Sequence, residues 1–131
     1  MVNIREISIG NIFALGEEYG GVFALSFDGF VSFQLDSNDE IIEANINELN
    51  GVAITAKLLE DLGAVYEDTF ISWVLNVNNN IIELSSETSN TEGREWGMTI
   101  TDENGEIVCM ADIQYLHQLQ NHLFNATGEV L

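Results

Sequence analysis

The sequence has no proline, a single cysteine and only three basic side chains, Arg5, Lys57 and Arg94, against 22 acidic ones. Each shortage narrows what the chain can be. Cys109 alone cannot form an intrachain disulfide, which excludes a disulfide-stapled secreted scaffold. Three scattered cations cannot replace the counterions of a phosphate backbone, so no direct nucleic-acid binding is expected, and anionic membranes are equally poor partners. No stretch approaches the roughly 18 apolar residues of a membrane span. The opening Met1-Val2-Asn3-Ile4-Arg5-Glu6 lacks the positive start and apolar run of a secretion leader. The expected location is cytoplasmic, with a host cytoplasm or a virion leaving the same trace.

What is abundant is negative charge and apolar bulk. The formal net charge is −19, so almost every carboxylate must be solvated, hydrogen-bonded to backbone or balanced by a bound cation. Such a field attracts basic protein surfaces and speeds encounter with them. Apolar residues make up 46% of the chain, with seven Phe, three Tyr and two Trp, which suffices for one hydrophobic core. No linker or low-complexity run interrupts residues 1–131, which read as a single compact acidic domain.

Turn signals organise the chain. Val22–Phe27 and Phe30–Leu35 flank Asp28-Gly29, predicting a hairpin that pairs Phe27 with Phe30 and Ala24 with Phe33. Its two faces are both apolar, which suggests that it curls or lies under another layer. Ile41–Ile46 reads as a strand followed by a turn at Asn50-Gly51. Thr55 is placed to cap a short helix over Ala56–Leu62, ended by Gly63. Phe70–Val77 and Ile81–Leu84 flank Asn78-Asn79-Asn80, a second hairpin, and Trp96–Thr101 and Glu106–Met110 flank Asn104-Gly105, a third. Asp112 is placed to cap a final helix from about Ile113 to Ala126, stopped by Gly128, whose apolar stripe is Ile113, Leu116, Leu119 or Gln120, and Leu123. The fold class expected is α+β: a predominantly antiparallel sheet with hairpins, one short central helix and a C-terminal helix packed on the sheet.

Residues able to carry chemistry are present but not arranged for it by spacing. His117 and His122, five apart on a helix, point roughly 140° apart and cannot be adjacent metal ligands. Asp36, Asn38 and Glu40 resemble the start of a calcium loop, but Ile41 stands where glycine is needed and Asn47 where glutamate is needed. Asp102, Asn104 and Glu106 are explained by their turn. Paired carboxylates such as Glu60-Asp61 and Glu67-Asp68 are too many for spacing to select an acid–base pair. Cys109 lies in the apolar run Ile107–Ala111 and reads as a small buried hydrophobe. With no phosphate loop, dinucleotide fingerprint or nucleophile elbow, no catalytic, cofactor-binding or metal residue is assigned and no cofactor is expected.

The final segment carries Tyr115, His117, Gln118, Leu119, Gln120 and Asn121, then Phe124 and Thr127-Gly128-Glu129. This Tyr-x-His-Gln-Leu-Gln-Asn core with its Thr-Gly-Glu ending resembles the ending of a group of small uncharacterised proteins of Bacteroidetes bacteria and their phages. The resemblance extends to Ile9-Gly10-Asn11 and, more loosely, to Leu58–Gly63, where the proline expected before the helix is missing. It implies an α+β domain of phage or mobile-element type and brings no activity with it. Tyr115, His117, Gln118, Gln120 and Asn121 are the interaction or structural motif, with a structural role favoured.

The expected function is a non-enzymatic protein-interaction or structural protein whose acidic surface recognises a basic protein partner. Two other classes stay open. A protein-borne array of carboxylates could mimic duplex DNA, which carries one charge per about 1.7 Å of axis, and so inhibit a nucleic-acid-binding defence or regulatory protein. A small hydrolase could assemble a site from distant carboxylates or a histidine.

Overall fold

The computed structural model describes residues 6–26, 28–69, 71–85 and 95–131. It is an α+β fold with two five-stranded antiparallel sheets, a short helix and a C-terminal helix. Its contacts group the chain into two compact units. The first takes the chain up to Val52 together with Tyr115–Asn121, and the second takes Ala53–Gln114 and His122–Leu131.

In the first unit, β1 (Ile12–Leu15), β2 (Glu18–Leu25), β3 (Phe30–Leu35), β4 (Ile41–Asn45) and β5 (Leu49–Gly51) form a sheet of order β4-β3-β2-β1-β5. Alternation along each strand sends Phe13, Val22, Val31, Phe33, Leu35 and Leu49 into one core. Burying each of these large side chains stabilises the unit by about 1.5–3 kcal/mol relative to exposure. After β4, Asn45 caps a 3₁₀ turn (Ile46–Glu48): its side chain accepts from Asn47 N–H while Glu48 reaches back to Asn45 N–H. That reversal lets β5 return beside β1.

In the second unit, β6 (Val65–Glu67), β7 (Ser72–Val77), β8 (Asn80–Ser85), β9 (Trp96–Thr101) and β10 (Ile107–Ile113) run as a meander, each strand beside the next. The β7–β8 hairpin closes on Asn78 and Asn79, whose φ angles of 48° and 71° are the left-handed pair a tight hairpin requires. The short helix α1 (Ala56–Asp61) is capped by Thr55, whose hydroxyl accepts from Leu58 N–H at 3.2 Å, and the chain leaves it through Gly63 at φ 92°. Buried Trp96 anchors this region, its indole N–H donating to Ile54 O at 2.9 Å.

Four local expectations are corrected. The pairing of Ala24 with Phe33 is displaced by the turn, which closes through Ser26 N–H to Phe30 O and sets Ala24 against Ser32, and a bulge after Val22 then moves the register one residue further, so that Val22 faces Phe33. The proposed Phe27–Phe30 pair lies outside the described residues. Asn50-Gly51 is not a turn but part of β5, and Gly51 is needed there because a Cβ would sit 2.7 Å from carbons of the Tyr115 ring. Asp112 does not cap the final helix, and Ile113 does not belong to it. Both extend β10 opposite Gly97 and Trp96, and the final helix, α2, runs over Leu116–Thr127. Strand pairing to β9 outcompetes a local capping preference there.

The close approach at Gly51 sets a test. Gly51→Ala should cost about 1–3 kcal/mol through overpacking, whereas Gly97→Ala, whose Cβ would meet nothing nearer than 3.6 Å, should stay within about 0.5 kcal/mol of wild type. Urea denaturation of both variants measures the contrast.

Candidate functional site

Helix α2 begins where Tyr115 N–H donates to the side chain of Gln118 at 3.0 Å, the back-reaching half of a capping box. Its first turns present a buried row of Leu116, His117, Leu119 and Gln120. The leucines dock, and the polar residues face the segment that precedes β1.

That segment is held by side-chain amides. Asn121 donates to Glu6 O at 2.6 Å and accepts from the Asn11 amide at 2.8 Å. Gln120 accepts from Ile12 N–H at 3.0 Å and donates to Gly10 O at 3.2 Å. Asn11 in turn accepts from Ser8 N–H at 2.8 Å. A primary amide can donate and accept at once, so each satisfies backbone groups that a irregular segment cannot pair for itself. Two stretches quoted for the family resemblance, Ile9-Gly10-Asn11 and Gln120-Asn121, therefore meet in space.

His117 lies at the centre, 1% exposed, with its ring 4.7 Å from that of Phe13 and stacked at 5.7 Å on that of Tyr115. Its Nε2–H donates to the Glu6 carboxylate at 3.1 Å, while Nδ1 has no hydrogen-bond partner among the described residues. Burial pulls the imidazole below the ordinary histidine range, and this outweighs the opposing pull of Glu6. The ring is therefore neutral at pH 7, and its charged form would leave a second proton unpaired in the core.

The structure thus brings together all five residues of the C-terminal motif, and it engages them in cohesion: Gln118 starts the helix, Tyr115 covers Gly51 and flanks His117, and Gln120 and Asn121 fasten residues 6–12. The partner residues Glu6 and Asn11 were not assignable from spacing, since nothing in the sequence joins positions more than a hundred residues apart. His122 stands elsewhere, its Nδ1 3.8 Å from the Cys109 thiol, which burial pushes upward and away from thiolate character. Asp102 accepts from Asn104 and Glu106 N–H, so its cluster is a turn. Among the described residues, no group of three or more His, Cys, Asp or Glu is placed to hold a metal, and no helix is long and apolar enough to cross a membrane.

Every described carboxylate is exposed or half-buried. Two surface regions stand out. In the second unit, the edge strand β6 leaves Val65 and Tyr66 exposed between the acidic pairs Glu60-Asp61 and Glu67-Asp68, with Glu83 in the same cross-strand row as Val65 and Val74. Lys57 offers only an exposed 3.8 Å pair with Asp61 in compensation. In the first unit, the sheet face opposite the core carries Ile12, Ala14 and Phe30, half-buried, and Tyr19 and Ile41, exposed. Compared with models of known protein families, with curated proteins and with solved structures, the chain matches none.

Neutral His117 makes a pH prediction. Its folded-state affinity for protons is lower than in the unfolded chain, so its contribution to stability is complete above an unfolded value of about 6.5 and is lost as pH falls below it. The difference in unfolding free energy between wild type and His117→Gln should shrink below that pH by at most about 1.4 kcal/mol per pH unit. Taking the difference cancels the general effect of titrating the acidic coat, and urea titrations between about pH 5 and 8 measure it.

Proposed function

We propose that this chain is a non-enzymatic interaction protein that recognises a basic protein surface, acting in the cytoplasm of its host or in a virion of phage origin, as the C-terminal resemblance suggests. The observation that carries the reading is the β6 edge. An edge strand has unpaired backbone groups along one side and invites an extended segment to add a strand. Here the exposed centre is apolar, Val65 and Tyr66, and the surround is acidic, Glu60, Asp61, Glu67 and Asp68. Val65 and Tyr66 lie on opposite faces of β6, and Glu67 shares the face of Val65. A basic strand with two adjacent aliphatic residues at its centre therefore fits both, one beside Val65 and one beside Tyr66, with lysines or arginines beyond them against the carboxylates. The engagement of His117, Gln120 and Asn121 in internal bonds supports an interaction role over a hydrolytic one, because it removes the residues best suited to polar chemistry from contact with a substrate.

A fluorescent peptide of about ten residues, with a central Val-Val pair flanked on both sides by lysines, tests this. Its anisotropy titration should show binding that weakens at least about tenfold between about 0.05 and about 0.5 M salt. Binding should be lost in the variant E60Q/D61N/E67Q/D68N and retained in D36N/D39N/E40Q/E48Q, which removes the same charge elsewhere. Salt-insensitive binding would contradict electrostatic recognition, and equal loss in both variants would contradict the β6 edge as its place.

A further inference from the structure

We infer that Asn104 is a site of spontaneous covalent modification, losing its side-chain amide to its own backbone and leaving an isoaspartyl or aspartyl residue at the tip of the β9–β10 hairpin. Asparagine is a thermolabile residue, and the step that consumes it is intramolecular. The backbone nitrogen of the following residue attacks Cγ and a new C–N bond forms. The side-chain nitrogen leaves as ammonia, taking the proton that the backbone nitrogen gives up. Water then opens the five-membered succinimide at one of its two carbonyls, and no oxidant, reductant or cofactor takes part. Glycine is the least hindered follower, because no side chain stands beside its nitrogen. The sequence holds two Asn-Gly pairs, Asn50-Gly51 and Asn104-Gly105.

Backbone setting decides between them. Both asparagines are exposed, so access of water does not. Ring closure requires the glycine nitrogen to swing onto Cγ by rotation about the Cα–C bond of the asparagine. Asn50 lies in β5 opposite Ala14, and Gly51 lies opposite Phe13. Turning that peptide would unpair β5 from β1 and move Gly51, where a Cβ would already meet the Tyr115 ring at 2.7 Å. Asn50 therefore reacts only when β5 opens. Asn104 sits outside both strands, in the turn between Thr101 and Ile107. Gly105 has φ 81°, and a Cβ there would meet nothing within 4 Å. The Asn104 side-chain amide has no hydrogen-bond partner among the described residues. One backbone bond, from Gly105 N–H to Asp102 O at 3.0 Å, must open first, and at this exposed site water replaces it. The product also disturbs its surroundings. Asp102 Oδ1 accepts from Asn104 N–H at 2.9 Å and from Glu106 N–H at 3.0 Å. An isoaspartyl linkage inserts a methylene into the backbone between those two donors, and its new carboxylate joins Asp102, Glu103 and Glu106. Both changes loosen the turn. The inference does not rest on recognition of a basic partner at β6.

The test holds the full chain at about 37 °C and about pH 8.5, where the attacking nitrogen gives up its proton more readily, and follows it by mass spectrometry of proteolytic fragments. The fragment with Asn104 should gain about 1 Da and separate into aspartyl and isoaspartyl forms on chromatography. In the folded chain, conversion at Asn104 should outpace that at Asn50 at least about tenfold. In about 8 M urea the two rates should lie within about threefold of each other, because the fold is what distinguishes them. Asn104→Gln, which would have to close a larger ring, should abolish the gain over the same period. In the converted chain the Glu106 amide should exchange with solvent at least about tenfold faster, while the amides of β7 and β8 keep their protection. Comparable rates at the two sites in the folded chain overturn the inference. So does a preference of the same size in urea, or an Asn104 that stays intact in native buffer for about ten times its half-life in urea.

Discussion

The constraint on which the rest of the structure depends is that 22 carboxylates must be kept in water with almost no cations to help. Among the described residues ion pairing contributes little: Lys57 meets Asp61 at an exposed site, and the other close pair joins Glu6 to a histidine that burial keeps neutral. Cohesion therefore falls to groups without charge. Two apolar sheet faces supply most of it, and where the chain leaves regular structure before β1, primary amides replace the ion pairs that other proteins use. Amides suit the task because burying them, once hydrogen-bonded, costs far less than burying a charge.

Much of the fold was legible because local chemistry and tertiary structure agree. Asn78-Asn79 marks a hairpin, Thr55 and Gly63 bracket α1, and Gly128 at φ 78° stops α2, each by a preference that acts over a few residues. Legibility ended where distant partners overrode local preference. Asp112 has the right chemistry for a helix cap, yet pairing with Gly97 and the burial of Ile113 keep it in a strand. Asn50-Gly51 has turn chemistry, yet its glycine serves the ring of Tyr115. The bulge at Phe23 moves the β2–β3 register by a residue without any proline or glycine to announce it.

The candidate site divides in the same way. The helical motif was visible as a cluster of His, Gln and Asn, and a structural role for it was favoured. Its counterparts, Glu6 and the backbone around Gly10 and Ile12, were not visible, because hydrogen bonds between positions 6–12 and 117–121 leave no periodicity in the sequence. Surface partitioning was equally hidden. Net charge says how many acids there are, but strand register decides which sheet face each of them takes.

The amide fastening also orders events in time. Asn11 and Asn121 are 110 positions apart, so a nascent chain that has made all five strands of the first sheet still lacks the side chains that hold residues 6–12 beside them. At roughly 5–20 residues per second, the ribosome needs several seconds more to supply α2. During that interval the exposed apolar core of the first sheet must be tolerated, and the dense negative charge of the emerging chain, which repels other copies of itself, is well suited to keeping the unfinished protein soluble.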